Sequence, residues 1–307
     1  MPDRILVLGS INLDYTVTVR RLPTPGETII GEELVVAEGG KGANQAVAAA
    51  RAGAAVAFLG CVGDDDGGRR YLDKLAAEGI DISLTRVAPD VRTGTALIFV
   101  ESGTGENMIA AYPGANAHLL PEDVERARPA FEHAALVLSQ LESPLQTVQR
   151  AAEIAAEAGP LFVLNPSPVP ADGVPVDILE LTGLLICNAT EMAQIVASLG
   201  EPHEESALDR LLAGRTRAVV ITRGAQGCTV HTQRESYAIS AYQVQAVDAV
   251  GAGDAFAGAF VAAWVEGRGL RDCARFATAA GALAVTQRGA MPSLPRRRAI
   301  ESLLASG

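Results

Sequence analysis

Residues 248–258 read Asp-Ala-Val-Gly-Ala-Gly-Asp-Ala-Phe-Ala-Gly, a run of small residues with two glycines that leads straight into the carboxylate of Asp254. Phe256, Phe260, Val261 and Trp264 then recur at helical spacing, so the stretch is expected to be a loop delivering an acid to a helix N-terminus. There, bare backbone N–H groups and the positive end of the helix dipole suit an anion. Asp254 has two readings on these residues: an N-cap with glycines for the turn, or a reacting carboxylate beside an anion hole at 251–254.

A second candidate lies at residues 37–45, Ala-Glu-Gly-Gly-Lys-Gly-Ala-Asn-Gln. Glycines let the backbone approach a ligand, and Lys41 and Asn44 supply donors suited to hydroxyls; a glycine-rich turn with a solvated lysine is the plainer alternative. Other polar residues follow short apolar runs: Asn12 and Asp14, Gln140 and Glu142, Asn165, Asn188 and Glu191, and Thr222-Arg223-Gly224. Ligands gather where the strands of a parallel sheet end. Ordinary turns also account for several of these positions, and Glu191 three residues after Asn188 fits a capping box. Residues 222–228, with Gly224 and Gly227, serve either as a hairpin or as a loop against a nucleotide. Asp64, Asp65 and Asp66 fit a solvated helix start better than a metal site.

The elements that must position these groups alternate regularly. Apolar runs at 4–8, 55–59, 135–138, 161–164, 184–187 and 218–221, with helical patterns at 145–158, 190–199, 270–285 and 296–304, imply an α/β fold. Its central sheet is mostly parallel, with helices on both faces. Residues 15–19, 28–36, 94–100 and 107–112 form alternating segments without helices between them. They are expected to build a small antiparallel β lid, about 14–38 and 93–113, inserted into one domain spanning 1–307. Too small to bury its own apolar face, that lid is expected to cover the site and to serve as a dimer surface.

Composition removes several classes. A net charge of -11 argues against nucleic acid as the main partner. Cys61, Cys187, Cys228 and Cys273 are scattered with no paired spacing, which suggests buried free thiols in a reducing cytoplasm. The Ala-rich stretch 43–59 is broken by Arg51 and Gly53, so no membrane span is expected. The sequences of a P-loop, a Gly-x-Gly-x-x-Gly fingerprint and a Gly-x-Ser-x-Gly elbow are all missing.

Residues 39–44 and 248–256 resemble the two signatures of the PfkB carbohydrate kinase family, in the right order. Residues 9–12, 23–28, 40–50, 96–100, 140–144 and 244–248 are similar to the ribokinase branch of that family, and the likeness runs from Ile5 to the last helix. The resemblance implies a ribokinase-like fold and ATP-dependent phosphorylation of D-ribose at its 5-hydroxyl. Asn12, Asp14, Gly40, Lys41, Gly42, Asn44 and Glu142 would hold the sugar, and Asp254 would accept the proton of its attacking hydroxyl. Gly251, Ala252 and Gly253 would offer N–H groups to the phosphoryl group. Asn188 and Glu191 would lie by the phosphates and Mg²⁺. Thr222, Arg223, Gly224, Ala225, Gln226, Gly227, Gly253 and Thr278 would lie by the nucleotide. An activating K⁺ would be held by Asp248, Val250, Ala284, Gln287, Gly289 and Ser293. A sibling kinase acting on another sugar, sugar acid or nucleoside, or a non-catalytic sugar-binding regulator, is the alternative. Ala96, Ile98 and Ile109 in the lid are aliphatic, which favours a sugar over a stacked base.

Overall fold

The computed structural model describes residues 4–306. In chain order the strands are β1 (Arg4–Leu8), β2 (Asn12–Val19), β3 (Glu33–Gly39), β4 (Ala55–Leu59), β5 (Cys61–Gly63), β6 (Arg86–Ala88) and β7 (Gly94–Glu101). They continue as β8 (Asn107–Tyr112), β9 (Ala134–Ser139), β10 (Leu161–Leu164), β11 (Leu184–Asn188), β12 (Ala218–Thr222), β13 (Cys228–His231) and β14 (Ser236–Ile239).

The apolar runs make a central sheet ordered β14-β13-β12-β11-β10-β9-β1-β4, parallel from β4 through β12 and antiparallel at its β13-β14 edge. Its strands are continuous in hydrophobicity because both faces are covered. On one side Ile5, Val7 and Phe58 pack with helices Lys41–Arg51, Ala252–Val265 and Leu270–Ala284. On the other, Leu6, Leu8 and Val137 pack with helices Leu145–Ala158 and Ala189–Leu199. The parallel strands therefore end along one edge, where the polar residues singled out above collect.

The second sheet runs β3-β2-β7-β8. Its outer pairs, β2 with β3 and β7 with β8, are antiparallel, while the central β2-β7 pair is parallel. A parallel pair is reachable here because helix Asp66–Ala77 lies in the long connection between the two strands. The strand expected at 28–36 instead occupies Glu33–Gly39. β2 stops at Val19 and its Thr18 already pairs with Glu33, so residues 28–31 have no partner edge.

Asp65 is the N-cap of helix Asp66–Ala77 and accepts from Gly68 N–H at 2.7 Å, while Asp64 and Asp66 pair with Arg69. The helix-start reading of that triplet is the one realised. All four cysteines are free and buried. Short helices Pro121–Arg126, Arg128–Glu132 and Val176–Leu181, helix Glu204–Ala213, and the β5, β6 and β14 strands were not marked by the sequence pattern, and β13 only as the far side of a hairpin at 222–228. None of the described helices is long and apolar enough to cross a membrane.

Arg51, at the end of helix Lys41–Arg51, donates to the carbonyls of Met291 and Leu294 at 2.9 and 2.8 Å and pairs with Glu78 at 2.6 Å. That ion pair is largely buried, and every charge-bearing atom in it is used.

Candidate active site

Gly251 begins helix Ala252–Val265 in the left-handed region, with φ 79°, and is its N-cap. A side chain there would sit within 3.0 Å of the Ala290 backbone, so the turn needs glycine. Asp254 lies in the first turn, is 7% exposed, and does not cap its own helix. The capping alternative is thereby overturned: its Oδ2 accepts from Asn44 Nδ2 and its Oδ1 from Gln45 Nε2, both at 3.0 Å. Ala252 N–H turns back to the Ala249 carbonyl at 3.3 Å. Among the described residues no backbone carbonyl accepts from the N–H groups of Gly251, Gly253 or Asp254. The N–H groups left free at this turn are thus those of 251, 253 and 254.

A cleft of about 400 Å³ opens over this turn. Asp14, Lys41, Asn44, Glu142, Asn188, Glu191, Thr222, Val250, Gly251, Gly253 and Asp254 line it. One end of it is built on Gly40, which at φ 90° precedes helix Lys41–Arg51. A Cβ on Gly40 would lie 2.8 Å from the Asn12 nitrogen, so only glycine lets these two segments meet. Glu142 caps that meeting point, accepting from Lys41 N–H at 3.0 Å and from the Ser10 hydroxyl. Gly42 donates to Ser10 Oγ at 3.3 Å and sits under the cleft floor rather than on it. Asn44, having given Nδ2 to Asp254, keeps a buried Oδ1 with no partner among the described residues. An orphaned acceptor beside a carboxylate is a place for a ligand hydroxyl.

Burial is the main force raising the Asp254 carboxyl above its ordinary value, with Glu142 adding to it, while Lys41 and the Gln45 and Asn44 amides pull the other way. Burial beside Glu142 raises Asp14 to about 6. The cleft thus holds carboxylates whose charge is held in check, with Lys41 among them.

At the other end, Asn188 and Glu191 form the capping box expected of their spacing: Asn188 Oδ1 accepts from Glu191 N–H at 2.8 Å, and Glu191 Oε2 from Asn188 N–H at 2.9 Å. Both still line the cleft. Thr222 reaches it too, whereas Arg223, Gly224, Ala225, Gln226 and Gly227 form the turn of the β12-β13 hairpin beyond it. The hairpin is therefore how this segment folds. Thr278 is not brought to the cleft: it is buried, gives its hydroxyl to the Ala274 carbonyl at 2.7 Å and lies 3.6 Å from Cys228 Sγ.

Asp248 joins two loops, accepting from Val250 N–H at 3.0 Å and from Gly289 N–H at 2.8 Å. Ala284 closes the last turn of its helix by accepting from Gln287 N–H at 3.2 Å, and Ser293 donates to the Ala290 carbonyl at 2.8 Å. Asp248 thereby ties the turn before Gly251 to the loop that follows helix Leu270–Ala284.

The whole chain can be set beside known proteins. The family model described as pfkB family carbohydrate kinase matches residues 2–297. The chain belongs to that family. Within the pfkB family it is 39% identical to the ribokinase of Haemophilus influenzae over 97% of each chain. The ribokinase structure from Thermotoga maritima superposes with a TM-score of 0.90 at 32% identity, covering 98% of this chain and 99% of that one. The Arabidopsis thaliana ribokinase structure complexed with ribose and ATP gives 0.88 at 31% identity, covering 99% of each. The ribokinase-like α/β fold expected above is the fold observed.

Sequence reasoning passed over Asn116, 3% exposed, which accepts from Ile11 N–H at 2.9 Å and donates to the Ile11 carbonyl at 3.0 Å and to Asn12 Oδ1 at 2.8 Å. A lone Asn after β8 carries no local signal of a bond spanning 105 positions. Gln45 and Gln140 were quoted in motifs without roles; both are buried beneath Asp254.

Proposed function

We propose that the protein transfers the γ-phosphoryl group of ATP to the 5-hydroxyl of D-ribose. The observation that carries this reading is the buried Asp254, set at a helix N-terminus with free N–H groups beside it and the orphaned Asn44 oxygen next to it. Ribokinases that share at least a third of its sequence along nearly its whole length support the acceptor.

Asn44, Lys41 and Glu142 hold sugar hydroxyls on the body of the protein, and Asn12 and Asp14 hold them from the lid. Asp254 accepts the proton of the attacking hydroxyl late in transfer, so an aspartate suffices as base. The N–H groups of Gly251, Gly253 and Asp254 receive charge building on the phosphoryl oxygens. Mg²⁺ neutralises phosphate charge when bound. Glu191 suits it, since only one of its carboxylate oxygens is taken by the capping box and hydrated Mg²⁺ needs few protein ligands. A bound K⁺ would supply positive potential to the loop that carries the anion hole. The oxygen donors of Asp248, Val250, Ala284, Gln287, Gly289 and Ser293 fit a hard monovalent cation, and Asp248 keeps lone pairs beyond the two it uses.

The chain acts as one domain, in the cytoplasm, as a homodimer joined through the lid. The lid face away from Asp14 exposes Leu34, Val36, Leu97, Met108 and Tyr112 together, and apolar side chains gathered on one exposed face suit a protein interface. Leu97→Glu with Met108→Glu should shift sedimentation from dimer to monomer; a wild type that sediments as a monomer removes the dimer.

Turnover with ATP and ribose, deoxyribose, fructose, 2-keto-3-deoxygluconate and adenosine tests the acceptor. Ribose is expected to give the highest kcat/KM. Turnover with another acceptor and none with ribose would replace ribose in this reading.

A further inference from the structure

Beneath Asp254 three side-chain amides, Asn165, Gln45 and Gln140, form one chain whose direction is set by a backbone group. Asn165 Nδ2 donates to the Ile186 carbonyl at 2.9 Å, and a carbonyl can only accept, so Asn165 must turn its Oδ1 the other way. That oxygen accepts from Gln45 Nε2 at 2.8 Å. Gln45 Nε2 spends its second hydrogen on Asp254 Oδ1 at 3.0 Å, and Gln45 Oε1 accepts from Gln140 Nε2 at 2.7 Å. Gln140 then has no partner among the described residues for its own Oε1, which is buried against Gly9, where any Cβ would lie 2.2 Å from it. A buried amide oxygen left bare is unfavourable. Reversing Gln45 to relieve it would point an oxygen at the Asp254 carboxylate.

We infer that Gln45 is a positioning residue of the transfer reaction. Its amide, oriented by Asn165 and Gln140, holds one oxygen of Asp254 so that the carboxylate stays ionised and aimed at the acceptor hydroxyl. Asn44 fixes the other oxygen but also borders the cleft, whereas Gln45 is fully buried and does not line it. Gln45 therefore has no direct contact with a ligand in the cleft; of its three amide partners, Asp254 and Asn165 line the cleft and Gln140 does not. The charged groups facing Asp254 are Lys41 from its helix and Glu142 from the loop after β9.

This rests on Asp254 being the base, and the test separates the two. Gln45→Met keeps the length of the side chain and removes the donor. It should lower kcat by roughly 10- to 100-fold while KM for ribose and calorimetric ribose affinity stay within about threefold. Losing a donor to a carboxylate raises its pKa, so the acid limb of the kcat–pH profile should move to higher pH. Gln140→Met, which leaves Gln45 bonded but less firmly oriented, should move both readouts the same way by less, and it carries the test if Gln45→Met does not fold. A kcat within threefold of wild type, or a lower kcat with an unmoved acid limb, overturns the inference. If Asp254→Asn is inactive while Gln45→Met is normal, only the positioning role is lost; if Asp254→Asn keeps near-normal kcat, the base assignment fails first.

Discussion

Asn116 donates its side-chain N–H to Asn12 Oδ1 at 2.8 Å, and it does so because its own oxygen and other hydrogen are taken by the two backbone groups of Ile11. The orientation of the Asn12 amide is thereby decided from outside the sugar site: oxygen toward Asn116, nitrogen left to donate. Asn116→Leu should raise KM for ribose by about 10-fold, the worth of one well-placed hydrogen bond, with a smaller change in kcat. It should also lower Tm, because Ile11 loses both partners. An unchanged KM would mean that Asn12 does not touch the sugar.

Asp254→Asn keeps the shape of the side chain and its place at the helix start. Expected is a fall in kcat of about 10³-fold with ribose affinity measured by calorimetry largely kept, since the loss belongs to the transition state. Near-normal kcat refutes the assignment.

Asp14 predicts opposite effects on binding and stability. Its carboxyl titrates at about 6 in the folded protein against an ordinary value of 3.8. Between these values the folded state binds the extra proton, so stability falls as pH rises from about 4 to about 6 and stays low above that. Asp14→Asn should therefore raise Tm at pH 8, by roughly 1 to 3 kcal/mol of stability, and have little effect at pH 4. The same change should weaken ribose binding at pH 8. In the wild type, KM for ribose should rise as pH drops through about 6. Equal Tm shifts at both pH values would show that the carboxylate is not under this strain.

Replacing K⁺ by Na⁺ or Li⁺ should lower kcat, and K⁺ should raise Tm in the absence of nucleotide. Asp248→Ala removes the acceptor shared by Val250 and Gly289 and should abolish both responses. Activity and Tm indifferent to the ion would take the cation out of the mechanism.

The sequence pattern located most of the central sheet because its strands are buried on both faces and leave unbroken apolar runs, as at β10 and at helix Leu145–Ala158, whose bounds agree residue for residue. The turn into β13 was legible from Gly224 and Gly227, but the bounds of β13 and the whole of β14 were not, because short edge strands show neither a long run nor a clean alternation. The glycine-rich stretches around Lys41 and Asp254 were visible as local chemistry. The direction of each amide was not, since it depends on partners such as Asn165 and Gln45, 120 positions apart. The Asn188 and Glu191 box was legible because both partners lie within one turn. Thr278 shows the reverse: the family resemblance implied a ligand contact, and in the structure the packing of its helix on β13 turns it inward.

Arg51 fastens one end of helix Lys41–Arg51 to the carbonyls of Met291 and Leu294, and the other end carries Lys41, Asn44 and Gln45. An α-helix of this length, about 16 Å, is stiff along its axis. A displacement of the 291–294 turn can therefore reach the cleft only by shifting the helix as a whole, so the two amides that grip Asp254 would move together, like a yoke. Events at the loop after the last long helix and the aim of the reacting carboxylate share one mechanical linkage.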